Sequence, residues 1–166
     1  MKNYQKRTPY YKILEVVAIA ASLWAFYPLL FYNSIDNNAL VPIHYNFFGE
    51  VNGWDGRFFL WVLPLVGLAF YIGLSILQRF PKIYNYPCKV TEENEDYIYR
   101  MGVQLVRHIK VLMALLFAYL NNASYAIAIG KGVGLNNFII MPLMAGLLLL
   151  VIVYSIKMIR YNRKIQ

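Results

Sequence analysis

Four side chains in the segment 36–55 are candidates for metal chemistry: His44 offers an imidazole nitrogen, and Asp36, Glu50 and Asp55 offer carboxylate oxygens. Such a mixed donor set suits a divalent cation. Their spacing fixes no coordination geometry, however. The plainer expectation is a histidine hydrogen-bonded within its own loop, with no cofactor. Other enzyme signatures are absent: neither HExxH nor GxSxG occurs, and the second histidine, His108, lies beyond another apolar run. Cys88 is the single cysteine, so it makes no internal disulfide and no CxxC pair. The remaining polar candidates border or interrupt apolar runs. Glu15 stands near the start of the first and is expected to reach water or Lys12, and Asn121 and Asn122 lie in the third. No charged residue falls at the middle of a run, which weakens any proton or ion pathway.

These residues sit between or within segments that only a bilayer would accommodate. Of the 166 residues, 60% are hydrophobic and 14% charged. Charge-free stretches cover 16–32, 58–78, 111–130 and 132–156, and about 20 apolar residues suffice to cross a hydrocarbon core of about 30 Å. The expected fold is an all-α integral membrane protein, a four-helix bundle with spans at about 13–32, 58–78, 110–130 and 137–157. An ordered external loop (33–57) and a cytoplasmic loop (79–109) join them. A soluble protein of this length could not wrap four such helices in polar cover. The first run follows Lys2, Lys6 and Arg7 but is too long for a signal core and lacks a small-x-small cleavage site, so it is read as a retained span.

Basic residues set the expected orientation. Lys2, Lys6, Arg7, Lys12, Arg79, Lys82, Lys89, Arg100, Arg107, Lys110, Lys157, Arg160, Arg163 and Lys164 share one side, against Arg57 and Lys131 on the other. The positive-inside rule then puts both termini in the cytoplasm, N-in and C-in. Anionic headgroups beside the spans account for the net charge of +8 without nucleic acid, for which no recognition motif is present.

Packing signals recur along the spans. Ala114, Ala118, Asn122, Ala126 and Gly130 form a small-residue edge on the third, with Asn121 off the seam; Ala18 with Ser22, Ala21 with Ala25, and Ala69 with Gly73 form similar edges. Pro28, Pro64 and Pro142 are expected to bend their helices. Thr91 is the expected N-cap of an amphipathic helix over 92–109. Glu92, Glu93, Glu95 and Asp96 lie in its first turns, Tyr97, Met101, Leu105 and Ile109 form its apolar stripe, and Gly102 is a candidate hinge. That helix runs into the third span and offers a possible docking surface for a cytoplasmic regulator.

The external segment "VPIHYNFFGEVNGWDG" reads as an extended piece placing His44 and Asn46 on one face, followed by a tight turn at Asn52-Gly53. The run Pro42-x-His44-Tyr45-Asn46-x-x-Gly49-x-x-Asn52-Gly53-Trp54 resembles the P-x-H-[aromatic]-[N/D]-x-x-G-x-x-D-G-[aromatic] signature of a bacterial membrane domain found in SdpI-type toxin immunity proteins. "NYPCKVTEEN" is similar to the cytoplasmic loop of some members. Asn52 replaces the usual acid, Asp55 is additional, Arg57 stands for the usual lysine, and SdpI-type proteins have further spans. The resemblance implies His44 and Asn46 as polar contacts and Pro42 and Gly49 as shape-setters. Asn52, Trp54, Asp55 and Arg57 complete the candidate ligand-binding or loop-organising set. It also implies a non-enzymatic, multi-pass protein of a bacterial inner (cytoplasmic) membrane whose external loop senses or neutralises an extracellular factor such as a peptide toxin. The alternatives are a small transporter or permeability module, and an external metal-binding protein or enzyme.

Overall fold

The computed structural model describes residues 8–165. Four helical segments long and apolar enough to cross a membrane carry the fold, Pro9–Ser34, Arg57–Leu77, Glu95–Ala128 and Asn137–Ile165; their α-helical parts are α1 (Pro9–Ala25), α2 (Val62–Leu77), α3 (Glu95–Ala128) and α4 (Asn137–Ile165). The segment between α1 and α2 adds one element to the helical expectation, an antiparallel hairpin of β1 (Leu40–Tyr45) and β2 (Val51–Gly56). The hairpin and the turn between α3 and α4 lie at one end of the molecule. The start of α1, the segment between α2 and α3, and the finish of α4 lie at the other, the basic end.

α3 is the axis on which the other three helices pack, and α1 and α2 also touch each other. α4 leans on α3, and Leu148 and Leu149 among its apolar residues stay exposed to the lipid side. α1 and α3 run parallel: the pairs Tyr10–His108, Glu15–Lys110, Trp24–Asn122 and Ala25–Asn121 keep a near-constant separation of 95 to 98 residues. The buried residues of α1 are all alanines (Ala18, Ala21 and Ala25), and α3 buries Ala114 and Ala118, so the two backbones approach closely.

Past Ala118 the packed line departs from the expected edge. A strict four-residue repeat advances about 40° per step around a helix of 3.6 residues per turn. The buried residues therefore shift to Asn121 and Ser124, while Asn122 and Ala126 are only half-buried. On α2 the expected edge is likewise displaced. Ala69 and Gly73 are exposed, and Gly67 meets Phe117 instead, where an added Cβ would come within 2.9 Å of the Phe117 Cβ.

Pro28 ends α1. It has no N–H for the carbonyl of Trp24, and the chain continues as a 3₁₀ helix over Tyr27–Ser34, in which the Leu29 amide turns to Phe26. The carbonyl of Trp24 is left with a single backbone amide at the cap, and that of Ala25 is released from the helix ladder. Asn122 Nδ2 donates to the first at 3.0 Å and Asn121 Nδ2 to the second at 2.8 Å. Both asparagines are thus occupied in closing a helix break.

α3 is one unbroken helix of 34 residues, about 51 Å long at 1.5 Å per residue. It exceeds the apolar slab, so its first turns stand beyond the slab at the basic end. Its N-cap is Asn94, and Thr91 lies one turn earlier: Asn94 Oδ1 accepts from the Thr91 amide, and its Nδ2 donates to Lys89 O and Asn162 Oδ1. Gly102 is a packing seat. An added Cβ there would come within 2.7 Å of the Tyr86 hydroxyl and 2.9 Å of the Tyr84 ring. Tyr84 and Tyr86 in turn donate to Leu77 O and Pro81 O. The stripe Tyr97, Met101 and Leu105 packs against buried Ile98, Tyr154 and Met158. The face expected to await a cytoplasmic regulator is thus covered largely by the chain's own α4.

Candidate functional site

The hairpin reverses earlier than expected, at Asn46–Glu50. Asn46 closes the turn almost alone. Its Oδ1 accepts the amides of Phe48 (2.9 Å) and Glu50 (3.0 Å), its Nδ2 donates to Glu50 Oε2 (2.8 Å), and its backbone exchanges bonds with Glu50 O and the Gly49 amide. Gly49 supplies the positive φ of 81° that such a turn needs. Gly53 instead lies opposite His44 within the ladder, where an added Cβ would meet the His44 Cβ at 2.9 Å. Register shifts on either side of His44 break the simple alternation, so buried Val41 and Pro42 are adjacent and Ile43 turns outward.

His44 Nδ1 donates to Asn52 Oδ1, since an amide oxygen can only accept. Asp36 accepts the Asn38 amide and Asp55 the Gly56 amide, each within its own turn. Asp36, His44, Glu50 and Asp55 are not gathered: no group of three or more His, Cys, Asp or Glu that could hold a metal occurs among the described residues. Arg57 faces inward, donating to Ile35 O (2.7 Å) and Tyr32 O (3.2 Å) with its guanidinium over the Tyr32 ring. It secures the end of the 3₁₀ segment.

The hairpin is also fastened to the rest of the molecule. The Leu135 amide donates to Gly49 O (2.8 Å) and Asn137 Nδ2 to Phe48 O (3.0 Å). The Tyr45 hydroxyl meets Ser124 Oγ at 2.8 Å on α3, and burial raises its pKa. Beneath β1 a cavity of about 270 Å³ is lined by Val41, Tyr45, Phe59, Leu63, Asn121 and Ser124. What the fastened turn displays is apolar: Phe47 and Phe48 are 78% and 71% exposed, and Trp54, opposite Pro42 on β2, is also exposed.

A second polar site, which the residue pattern did not reveal, lies at the basic end. Glu15 does not pair with Lys12. Its Oε2 receives Lys110 Nζ at 2.7 Å, and its Oε1 accepts the Tyr71 hydroxyl. Lys110 also reaches Ser75 Oγ at 3.1 Å and is 1% exposed. One ion pair thus joins α1 to α3 and draws in two residues of α2. Nearby, His108 Nδ1 donates to Gln104 O while Nε2 receives Tyr10, pinning α1 again to α3. The one available signal was a pair of opposite charges, each just inside an apolar run entering from the same side.

Comparison with known proteins adds no assignment. No family model, no curated protein and no solved structure matches this chain. Each site is therefore interpreted from its own geometry.

Proposed function

We propose that this is a non-enzymatic, multi-pass protein of a bacterial inner membrane, with its hairpin outside and its basic end in the cytoplasm, and that the hairpin senses or neutralises a secreted peptide. One observation carries this reading: a turn fixed at every polar group presents two bare phenylalanines next to Glu50, with Asp36 and Asp55 on the same loop. Arg57 is spent inward, so the surface favours a cationic, amphipathic ligand. A prebuilt turn also avoids the ordering cost that a loose loop would bring to binding. The resemblance of Pro42 to Trp54 to the SdpI-type signature points the same way. The permeability alternative is less well supported, because the packed residues between the ion pair and the asparagines are Ala18, Ala21, Ala114 and Ala118, an apolar seam.

The test is survival of cells with and without the protein under a panel of cationic amphipathic peptides. Protection that disappears in the Phe47→Ala, Phe48→Ala variant, with the protein still folded and inserted, supports the proposal. Equal survival across the panel rejects it.

A further inference from the structure

Glu15, the acid of the ion pair, lies on the wall of a cleft of about 590 Å³ between α1, α2 and α3, whose lining also includes Tyr11, Lys12, Ile76, Arg79 and Arg107. Its charges are unbalanced. Glu15 is the one acid of the lining, and Lys110 already neutralises it. Lys12, Arg79 and Arg107 face the same cleft, with no carboxylate in its lining beyond Glu15.

Arg107 is the most telling of the three. It is 8% exposed, and its guanidinium lies 4.3 Å from the centre of the Tyr11 ring. It donates no hydrogen bond to any described residue. A guanidinium carries five N–H donors, and a buried cation without hydrogen-bonded compensation is costly. Stacking on Tyr11 fixes the plane of the fork and leaves its edge available, an arrangement suited to two oxygens of an oxyanion. The same cleft is lined by Ile72 and Ile76, both half exposed on the lipid-facing side of α2. A cationic recess thus adjoins an apolar wall.

We propose that this cleft binds a phosphate-type oxyanion between Arg107, Arg79 and Lys12, supplied by a phospholipid headgroup whose chain lies along Ile72 and Ile76, or by free phosphate. The site goes beyond general attraction of basic residues to an anionic surface. It requires a buried, stacked arginine, whereas Arg163 near the finish of α4 is exposed and serves as the control.

The experiment uses the full chain, stripped of lipid in detergent and examined by native mass spectrometry. Added probes are dioleoyl phosphatidylglycerol, dioleoylglycerol with the same chains and no phosphate, and inorganic phosphate as competitor. Retention of phosphatidylglycerol is expected to exceed that of dioleoylglycerol about tenfold, to fall about tenfold in Arg107→Gln, and to stay unchanged in Arg163→Gln, as the loss of a charge-assisted bidentate contact requires. Displacement by millimolar phosphate assigns the site to the free anion, and resistance to it assigns the site to the lipid. If Arg107→Gln does not fold, the exposed rim variant Lys12→Gln, Arg79→Gln carries the test with the same expected direction. Equal retention by the cleft variants and Arg163→Gln, or equal retention of the two lipids, overturns the proposal.

Discussion

The two polar ends of the molecule are built by opposite means. At the hairpin, Asn46 bonds to Phe48, Gly49 and Glu50, and His44 to Asn52. The turn's own polar contacts close within a few residues, longer bonds from Tyr45, Phe48 and Gly49 fasten it to Ser124, Asn137 and Leu135, and the apolar side chains face out. At the basic end, Glu15, Tyr71, Ser75 and Lys110 meet from three helices, and the charge faces in. A site closed by neighbours can keep its shape while its rim changes. A site assembled from distant helices also holds those helices together, so altering it disturbs the fold.

The largest effect expected from this contrast is at the ion pair. Glu15→Ala leaves Lys110 buried without its carboxylate and should lower stability by about 3 kcal/mol, read as loss of helical circular dichroism against denaturant in detergent. Glu15→Leu with Lys110→Met should recover most of that loss. A single variant as stable as wild type would show that the basic end does not hold the helices. At the hairpin, Gly49→Ala forces an unfavourable φ and presses on Leu135 O, costing about 2 kcal/mol. The disturbance should stay local, with faster hydrogen exchange at the Glu50 and Leu135 amides and unchanged exchange in α3. Spread into α3 would erase the distinction between the two ends.

A smaller effect tests the helix break between them. Asn122→Leu should cost about 1 kcal/mol because the Trp24 carbonyl loses its side-chain donor. Adding Pro28→Ala should reduce that cost, since alanine restores an N–H for the same carbonyl. The smallest concerns Cys88, whose thiol pKa is raised by burial. Its thiolate is scarcer near neutral pH than that of a free cysteine, so alkylation by iodoacetamide should be slow at pH 7 and rise only at pH above the usual thiol range. By the same sign, unfolding is favoured slightly as pH rises past the unfolded thiol's pKa.

How much of this was legible in the residues follows the same division. The four helices were, because apolar length is a property of each segment alone. The ordered segment around Pro42, His44, Asn46 and Gly49 was too, because glycine and asparagine act on their immediate neighbours. The turn was misplaced to Asn52-Gly53, since both glycines permit a reversal and only the pairing with His44 shows which one makes it. Hidden entirely was the partner of Glu15, because Lys110 lies 95 residues away and reaches it only once α1 and α3 run parallel. Gly102 looked like a hinge until Tyr84 and Tyr86 were seen to occupy its place.

The central claim is that the fastened hairpin meets the outside while the basic end meets the cytoplasm. In a Cys88→Ser background, Val133→Cys places a thiol at an exposed position beside the hairpin turn, and Glu92→Cys places one at the basic end. A membrane-impermeant maleimide on intact cells should label the first and leave the second until the membrane is opened. Labelling of the second alone would turn the molecule over and contradict the account.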